Sequence, residues 1–199
     1  MSIYTIVLFL HVIGAIGYFV GMGTWLFVLA ALRRAQRVEQ VRALTNIAGR
    51  VGPLFGISVL LILATGLYMA ITAWGFQTGW IPVALISLIL IAPLGTAFIE
   101  PRRRSIARLA QEVPDGPLPQ ALEKRIHDPI LGTALVTVTI LLLGIVFLMT
   151  NKPSLPGSLI VMGVALVLGL ASGMLVFRAT RAREQRVATS VDRAREPVR

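Results

Sequence analysis

The chain alternates between long apolar segments and shorter segments rich in arginine. Five apolar segments are each long enough for a helix to cross a hydrocarbon core, which requires about 20 residues. They cover residues 3–32, 53–73, 80–99, 129–149 and 159–177. This pattern predicts an all-α fold: a polytopic transmembrane bundle of five helices that forms a single domain over residues 1–177, followed by a basic cytoplasmic tail over residues 178–199.

The basic residues predict the orientation of the bundle. Of the 19 lysine and arginine residues, 18 flank the same ends of the five segments, and Lys152 is the exception. Because basic flanks stay in the cytoplasm, we expect the N-terminus outside and the C-terminus in the cytoplasm. The same residues are expected to attract anionic lipids at the cytoplasmic face. The excess of arginine over lysine is typical of a GC-rich bacterial genome, so we expect a multi-pass protein of the bacterial cytoplasmic (inner) membrane.

The composition narrows the function classes. Hydrophobic residues make up 56% of the chain and charged residues only 14%, where a soluble domain carries about 25% charged residues. This excludes a soluble enzyme and, despite the net charge of +10, a nucleic-acid-binding domain. The chain has no cysteine, which excludes disulfides and thiolate metal sites.

His11 is the leading candidate for chemistry inside the membrane, where ionisable side chains are costly and often functional. It lies eight residues after Ile3, which is about 12 Å of helix. Gly14 and Ala15 follow at helical spacing and predict a shallow floor beside the imidazole, which Tyr18 would close. Haem iron is commonly held by histidine in a dry pocket, so these four residues form a candidate haem b site.

Two other interpretations of His11 remain open. In the first, a hydroxyl or carbonyl of a neighbouring helix bonds the imidazole, and the glycines near it serve only close helix packing. In the second, His11 binds copper together with Met69, Met149 and Met162, which map to the outer half of the membrane. Imidazole and thioether ligands suit Cu(I), although methionine is also an ordinary apolar gap-filler.

Several further segments carry structural predictions. We expect residues 33–51 to continue the first helix and then lie along the inner membrane surface. Residues 113–119 contain three prolines and predict a loop. His127 should mark a helix start, with Asp128 as its cap and Pro129 in the first turn. The small residues at 169–173 favour either a homodimer contact or packing inside the bundle, and the tail beyond Arg186 should be frayed.

Two short motifs carry a resemblance to known membrane proteins. Leu10-His-Val-Ile-Gly-Ala-Ile-Gly-Tyr18 and Phe147-Leu-Met-Thr-Asn-Lys-Pro153 resemble small bacterial integral membrane proteins of unknown function. These are similar to the CopD-like copper-resistance proteins and the HemJ-like protoporphyrinogen oxidases. The HemJ-like resemblance implies haem b on His11, and also a lysine inside a later helix. Lys124 and Lys152 lie outside the apolar segments here.

Three hypotheses for the function follow. The first is a haem-binding protein with a redox role, in which His11 holds the iron. The second is a copper-handling or small-solute transport protein, as the CopD-like resemblance implies for copper. The third is a non-catalytic scaffold or a subunit of a larger membrane complex. The residues do not decide whether the protein is an enzyme, and no candidate for a catalytic residue stands out.

Overall fold

A computed structural model of the chain describes the backbone of residues 2–195 and the side chains of residues 2–175. Within these residues the fold consists of helices and connecting turns, without a named strand. Seven α-helices follow one another: α1 (Ile3–Leu32), α2 (Val38–Met69), α3 (Trp80–Leu94), α4 (Glu100–Glu112), α5 (Gln120–Ile126), α6 (Pro129–Asn151) and α7 (Leu155–Arg195).

Two short π-helical turns lengthen the helices into longer continuous segments. One extends α2 over Ala70–Trp74, and the other, Gly95–Ile99, links α3 to α4 just after Pro93. Five segments in the described part of the chain are therefore long and apolar enough to cross a membrane: Ile3–Leu32, Val38–Trp74, Trp80–Glu112, Gln120–Asn151 and Leu155–Leu175. This confirms the predicted all-α fold with five spans, while the orientation of the termini stays a prediction.

The helices pack mainly as two hairpins. Helix α1 packs along α2, α6 packs along α7, and α3 contacts α6. The small residues at 169–173 lie inside the second hairpin. A Cβ atom on Gly169 would lie 2.8 Å from the Cα of Thr137, and one on Gly173 would lie 2.8 Å from the Cα of Thr133. This face of α7 is therefore covered by α6 of the same chain, as the packing alternative predicts, while the homodimer contact stays a prediction.

The expected path of residues 33–51 is wrong. Helix α1 ends at Leu32, the chain turns, and α2 begins at Val38 and continues through Pro53. The apolar stripe that predicted a helix on the membrane surface packs instead against other protein segments. Val38 and Val41 are fully buried and Ala48 nearly so, and α2 contacts α4.

Several of the most deeply buried side chains lie at the basic end of the bundle, formed by the end of α1, the start of α2, and helices α4 and α5. Val38, Val41, Leu122 and Ile126 each have 0% exposed surface, and Ile106 has 2%. Water favours the burial of these side chains. In the hydrocarbon region lipid tails are as apolar as leucine, so close packing there depends on shape and hydrogen bonds.

Other local predictions can be compared with the fold. The loop at 113–119 is confirmed, because α4 ends at Glu112 and α5 begins at Gln120. The expected fraying beyond Arg186 is wrong as far as Arg195, because the backbone of α7 stays helical to that residue. Residues 196–199 of the predicted tail lie outside the described residues. The continuous helix fits the Arg-rich and Ala-containing sequence there, since both residue types favour helix.

Candidate intramembrane site at His11

His11 lies at the interface between α1 and α2, with 8% of its surface exposed. Its Nδ1 atom lies 3.1 Å from the carbonyl oxygen of Ile62 and 3.0 Å from Oγ1 of Thr65. A polar side chain in hydrocarbon is costly unless it is hydrogen-bonded. Both partners belong to α2, so the imidazole links the two helices of the first hairpin.

The carbonyl of Ile62 determines which ring nitrogen carries the proton, because a carbonyl oxygen can only accept a hydrogen bond. Thr65 Oγ1 donates to the carbonyl of Leu61 at 2.5 Å. Because a hydroxyl has a single hydrogen, the same oxygen accepts a hydrogen bond from His11. The neutral ring is therefore protonated at Nδ1, and Nε2 carries a lone pair. Among the described residues Nε2 makes no hydrogen bond.

Gly66 allows the imidazole to approach the backbone of α2. A Cβ atom on Gly66 would lie 3.1 Å from Cε1 and 3.5 Å from Nδ1 of His11. Neither Gly66 nor Thr65 was predicted from the sequence. The signal that could have found them is a hydroxyl next to a glycine inside an otherwise apolar span, since small and hydroxyl residues are typical of helix interfaces in membranes.

The predicted open floor beside His11 is wrong. A Cβ atom on Gly14 would lie 3.0 Å from Cγ1 of Ile62 and 3.3 Å from the carbonyl oxygen of Ser58. The space that the missing side chain leaves is therefore filled by α2. Tyr18 does not close a pocket either: its ring packs edge-on against Phe55, with the ring centroids 5.1 Å apart. Ala15 is half-buried on the same helix.

The methionines of the copper hypothesis lie on different interfaces. Met69 is 8% exposed and lies one helical turn beyond Thr65 on α2. The sulfur of Met162 lies 3.2 Å from the position that a Cβ on Gly144 would take, at the α6–α7 interface. Met149 packs against the hydrophobic core. In the part of the chain that the structure describes, no group of three or more His, Cys, Asp or Glu side chains could hold a metal ion.

His127 lies far along the chain from this site and has a structural role. It ends α5, and its Nδ1 lies 3.0 Å from the carbonyl oxygen of Glu123. The next residue, Asp128, accepts a hydrogen bond from the amide of Ile130 at 2.9 Å and caps α6, which begins at Pro129. The prediction of a helix start here is confirmed. Asp128 also accepts a hydrogen bond from Arg102 at 2.9 Å.

The fold and the site together define a small helical membrane protein whose first two spans are joined by one buried histidine. Residues 5–153 match the model of a family described as "Predicted integral membrane protein (DUF2269)". Because the match covers most of the chain, the protein belongs to this family. Neither the curated proteins nor the solved structures include a match to the chain.

This membership confirms the resemblance to an integral membrane family. The family description gives a membrane location and no activity. The likeness to the CopD-like and HemJ-like proteins has no support from these comparisons. A copper or haem function for this chain therefore has to be argued from its own residues.

Proposed function

We propose that this protein binds haem b in a redox role and that Nε2 of His11 is the ligand of the haem iron. The observation that carries the proposal is that Nδ1 of His11 is hydrogen-bonded to Ile62 and Thr65, which leaves Nε2 for the iron. Metal-binding histidines almost always donate their other N–H to a carbonyl or carboxylate, which fixes the ring and raises its basicity. His11 of α1 has this arrangement, with the Ile62 carbonyl of α2 as the acceptor.

The imidazole of His11 fits a bond to iron, but the residues beside it do not form the floor for the macrocycle that the sequence predicts. Gly14 is covered by Ile62 and Ser58, so the interface between α1 and α2 has no floor for a flat ring. The proposal therefore assigns only the iron ligand. Haem, when bound, supplies one-electron chemistry, and this chain's part is to hold the imidazole in one orientation and one protonation state.

The proposal can be tested by the optical spectrum of detergent-purified protein, oxidised and reduced with dithionite. We expect a Soret band that His11→Ala abolishes and that His127→Ala leaves intact. Thr65→Val is the matched variant, because it removes one partner of Nδ1 and keeps Nε2. We expect it to retain the band with shifted maxima or a shifted midpoint potential.

Two outcomes contradict the proposal. A band that disappears with His127→Ala and survives His11→Ala would show that His127, and not His11, binds the iron. Protein without a chromophore, in cells supplied with a haem precursor, would leave His11 as a packing residue and favour a scaffold or subunit role. Metal analysis of the same sample tests the copper alternative, for which the position of Met69 one turn beyond Thr65 is the supporting observation.

The proposal includes the bacterial cytoplasmic membrane as the location, with the N-terminus outside. The support is the concentration of basic residues at one end of the bundle. In that orientation His11 lies in the outer half of the membrane.

A further inference from the structure

Ion pairs at the basic end of the bundle divide its cations into two groups. Five of the six acidic side chains that the structure describes are paired with arginine: Glu39 with Arg37, Glu100 with Arg103 and Arg104, Glu112 with Arg108, Asp115 with Arg42, and Asp128 with Arg102. Among the described side chains, Arg34, Arg50, Lys124 and Arg125 have no such partner and are exposed. These cations are available to an external anion.

Three of the four lie on the two chain segments that flank one backbone contact. The turn between α1 and α2 is hydrogen-bonded to the segment before α5: the amide of Val38 donates to Gly116 at 3.0 Å, and the amide of Leu118 donates to Gln36 at 3.1 Å. Arg34 lies in this turn, while Lys124 and Arg125 lie on α5. Arg50 lies further along α2, about 18 Å from the start of that helix at 1.5 Å per residue.

Helix α5 is fixed in place and directly precedes α6, the helix that carries the fourth apolar segment. Leu122 and Ile126 have 0% exposed surface and anchor one side of the helix, so the charged side faces outward. Ile130, in the first turn of α6, is 46% exposed and marks the start of the lipid-facing surface. A surface depression beside α5 is lined by Gln120, Ala121, Glu123, Lys124 and His127.

We propose that Arg34, Lys124 and Arg125 form a binding site for the phosphate of an anionic phospholipid, here called the α5 lipid site. Arginine matches phosphate geometry through paired N–H donors, and lysine acts as a point charge. Basic residues near a membrane surface attract anionic lipids. The acyl chains would lie along α6, below Ile130. Glu123 lines the same depression and offers its carboxylate to headgroup hydroxyls, which favours phosphatidylglycerol.

The test is native mass spectrometry of detergent-purified protein with phosphatidylglycerol or phosphatidylcholine added. We expect phosphatidylglycerol adducts to exceed phosphatidylcholine adducts, and the triple variant Arg34→Gln, Lys124→Gln, Arg125→Gln to reduce them at least fivefold. The matched control removes three charges from paired arginines at the same end: Arg37→Gln, Arg104→Gln, Arg108→Gln. We expect this control to reduce the adducts less than twofold. All six side chains are exposed, so both variants should fold, and a thermal melt checks this.

Three outcomes overturn the inference. Equal losses in the two triple variants would mean that total charge alone attracts the lipid. Equal binding of the two lipids would mean that the site does not select anions. If millimolar inorganic phosphate removes the adducts at unchanged ionic strength, the site binds a soluble anion rather than a lipid. The experiment involves no haem, so its result is independent of the function proposed for His11.

Discussion

His11 of α1 and Thr65 of α2 form a hydrogen bond of 3.0 Å across the first helical hairpin. Thr65 in turn donates to Leu61 on its own helix, so a short polar chain crosses from one helix to the backbone of the other. The bond lies among apolar side chains, where an unsatisfied imidazole nitrogen costs free energy. It therefore stabilises the hairpin whether or not Nε2 binds a ligand.

We expect Thr65→Val to destabilise the protein by about 0.5–1.5 kcal/mol, the range typical of hydrogen bonds between membrane helices. The shape of the side chain is kept, while one of the two acceptors near Nδ1–H is lost and the Ile62 carbonyl remains. Thr72→Val is the control, since the hydroxyl of Thr72 bonds to Tyr68 on the same segment and to no other residue in the described part of the chain. Unfolding in mixed micelles with increasing SDS measures both. Equal effects would show that the bond between the helices contributes nothing.

The glycines of α1 allow a second test of the hairpin. A Cβ on Gly14 would lie within 3.3 Å of the backbone of α2, whereas one on Gly23 would meet nothing within 4 Å. Gly14→Ala should therefore destabilise the protein by about 1–3 kcal/mol through overpacking. Gly23→Ala should be neutral or slightly stabilising, as alanine favours helix. If Gly14→Ala left the stability unchanged, the close contact with α2 would be wrong and an open space beside His11 would again be a possible interpretation.

The second hairpin predicts the same contrast on α7. Gly173→Leu places a large side chain against the backbone of Thr133, while Gly163 faces open space. We expect Gly173→Leu to reduce the yield of folded protein and Gly163→Leu to leave it near normal. Size-exclusion chromatography with light scattering then compares masses. A folded Gly173→Leu variant with a smaller mass than the natural protein would instead identify this face as a contact between two copies.

The five spans and the cap of α6 could be predicted because each depends on residues close together in the sequence. An apolar run of about 20 residues has few alternatives to a membrane helix. Asp128 before Pro129 is a local signal for a helix start, and Asp128 indeed bonds the amide two residues later.

The environment of His11 could not be predicted in the same way. Its partner Thr65 is 54 residues away, and nothing local to either residue pairs them. Small residues such as Gly14 favour both an open pocket and a close helix contact, and only the position of α2 decides between them. Likewise, the apolar stripe at Val38 and Val41 fits a lipid surface as well as it fits a protein surface. The structure shows that these side chains are buried and that α2 contacts α4.

Arg42 contributes to the stability of the basic end through hydrogen bonds to the end of α4 and the loop after it. Its guanidinium donates to the carbonyls of Ala110 and Val113 at 3.1 and 2.9 Å and to Asp115 at 2.6 Å. It thus satisfies carbonyl groups at the end of α4, which lack partners within the helix. Arg42→Gln should cost about 1–2 kcal/mol, since hydrogen bonds to charged groups are stronger than neutral ones but this side chain is partly exposed.

Two further variants separate the geometry of Arg42 from its charge. Arg42→Lys keeps the charge, but an ammonium group does not reproduce the rigid fork of donors, so we expect it to lose most of the same stability. Arg50→Gln is the control, because it removes a charge from the same helix at a position where the structure describes no ion-pair partner. It should change the melting temperature by less than about 2 °C. Full rescue by lysine would reduce the role of Arg42 to simple charge attraction.

The orientation of the bundle gives the final prediction. Trp74 and Trp80 lie at the end opposite the arginines, with their ring centroids 5.9 Å apart, as expected for aromatic residues at a membrane interface. Lys152 shares that end, and its ammonium lies 4.2 Å from the centroid of the Trp74 ring. Its charge is thus held by a cation–π contact, and one basic residue does not outweigh the many at the other end.

We therefore expect the turn after Trp74 to face the outside and the loop at residues 113–119 to face the cytoplasm. A reporter that is active only outside the cytoplasmic membrane should give signal when fused after Gly75 and none when fused after Pro117. The matched pair should be repeated with a reporter that is active only in the cytoplasm, which should give the reverse pattern. If the first reporter gave signal after Pro117 and none after Gly75, the predicted orientation would be wrong, and His11 would lie in the inner half of the membrane.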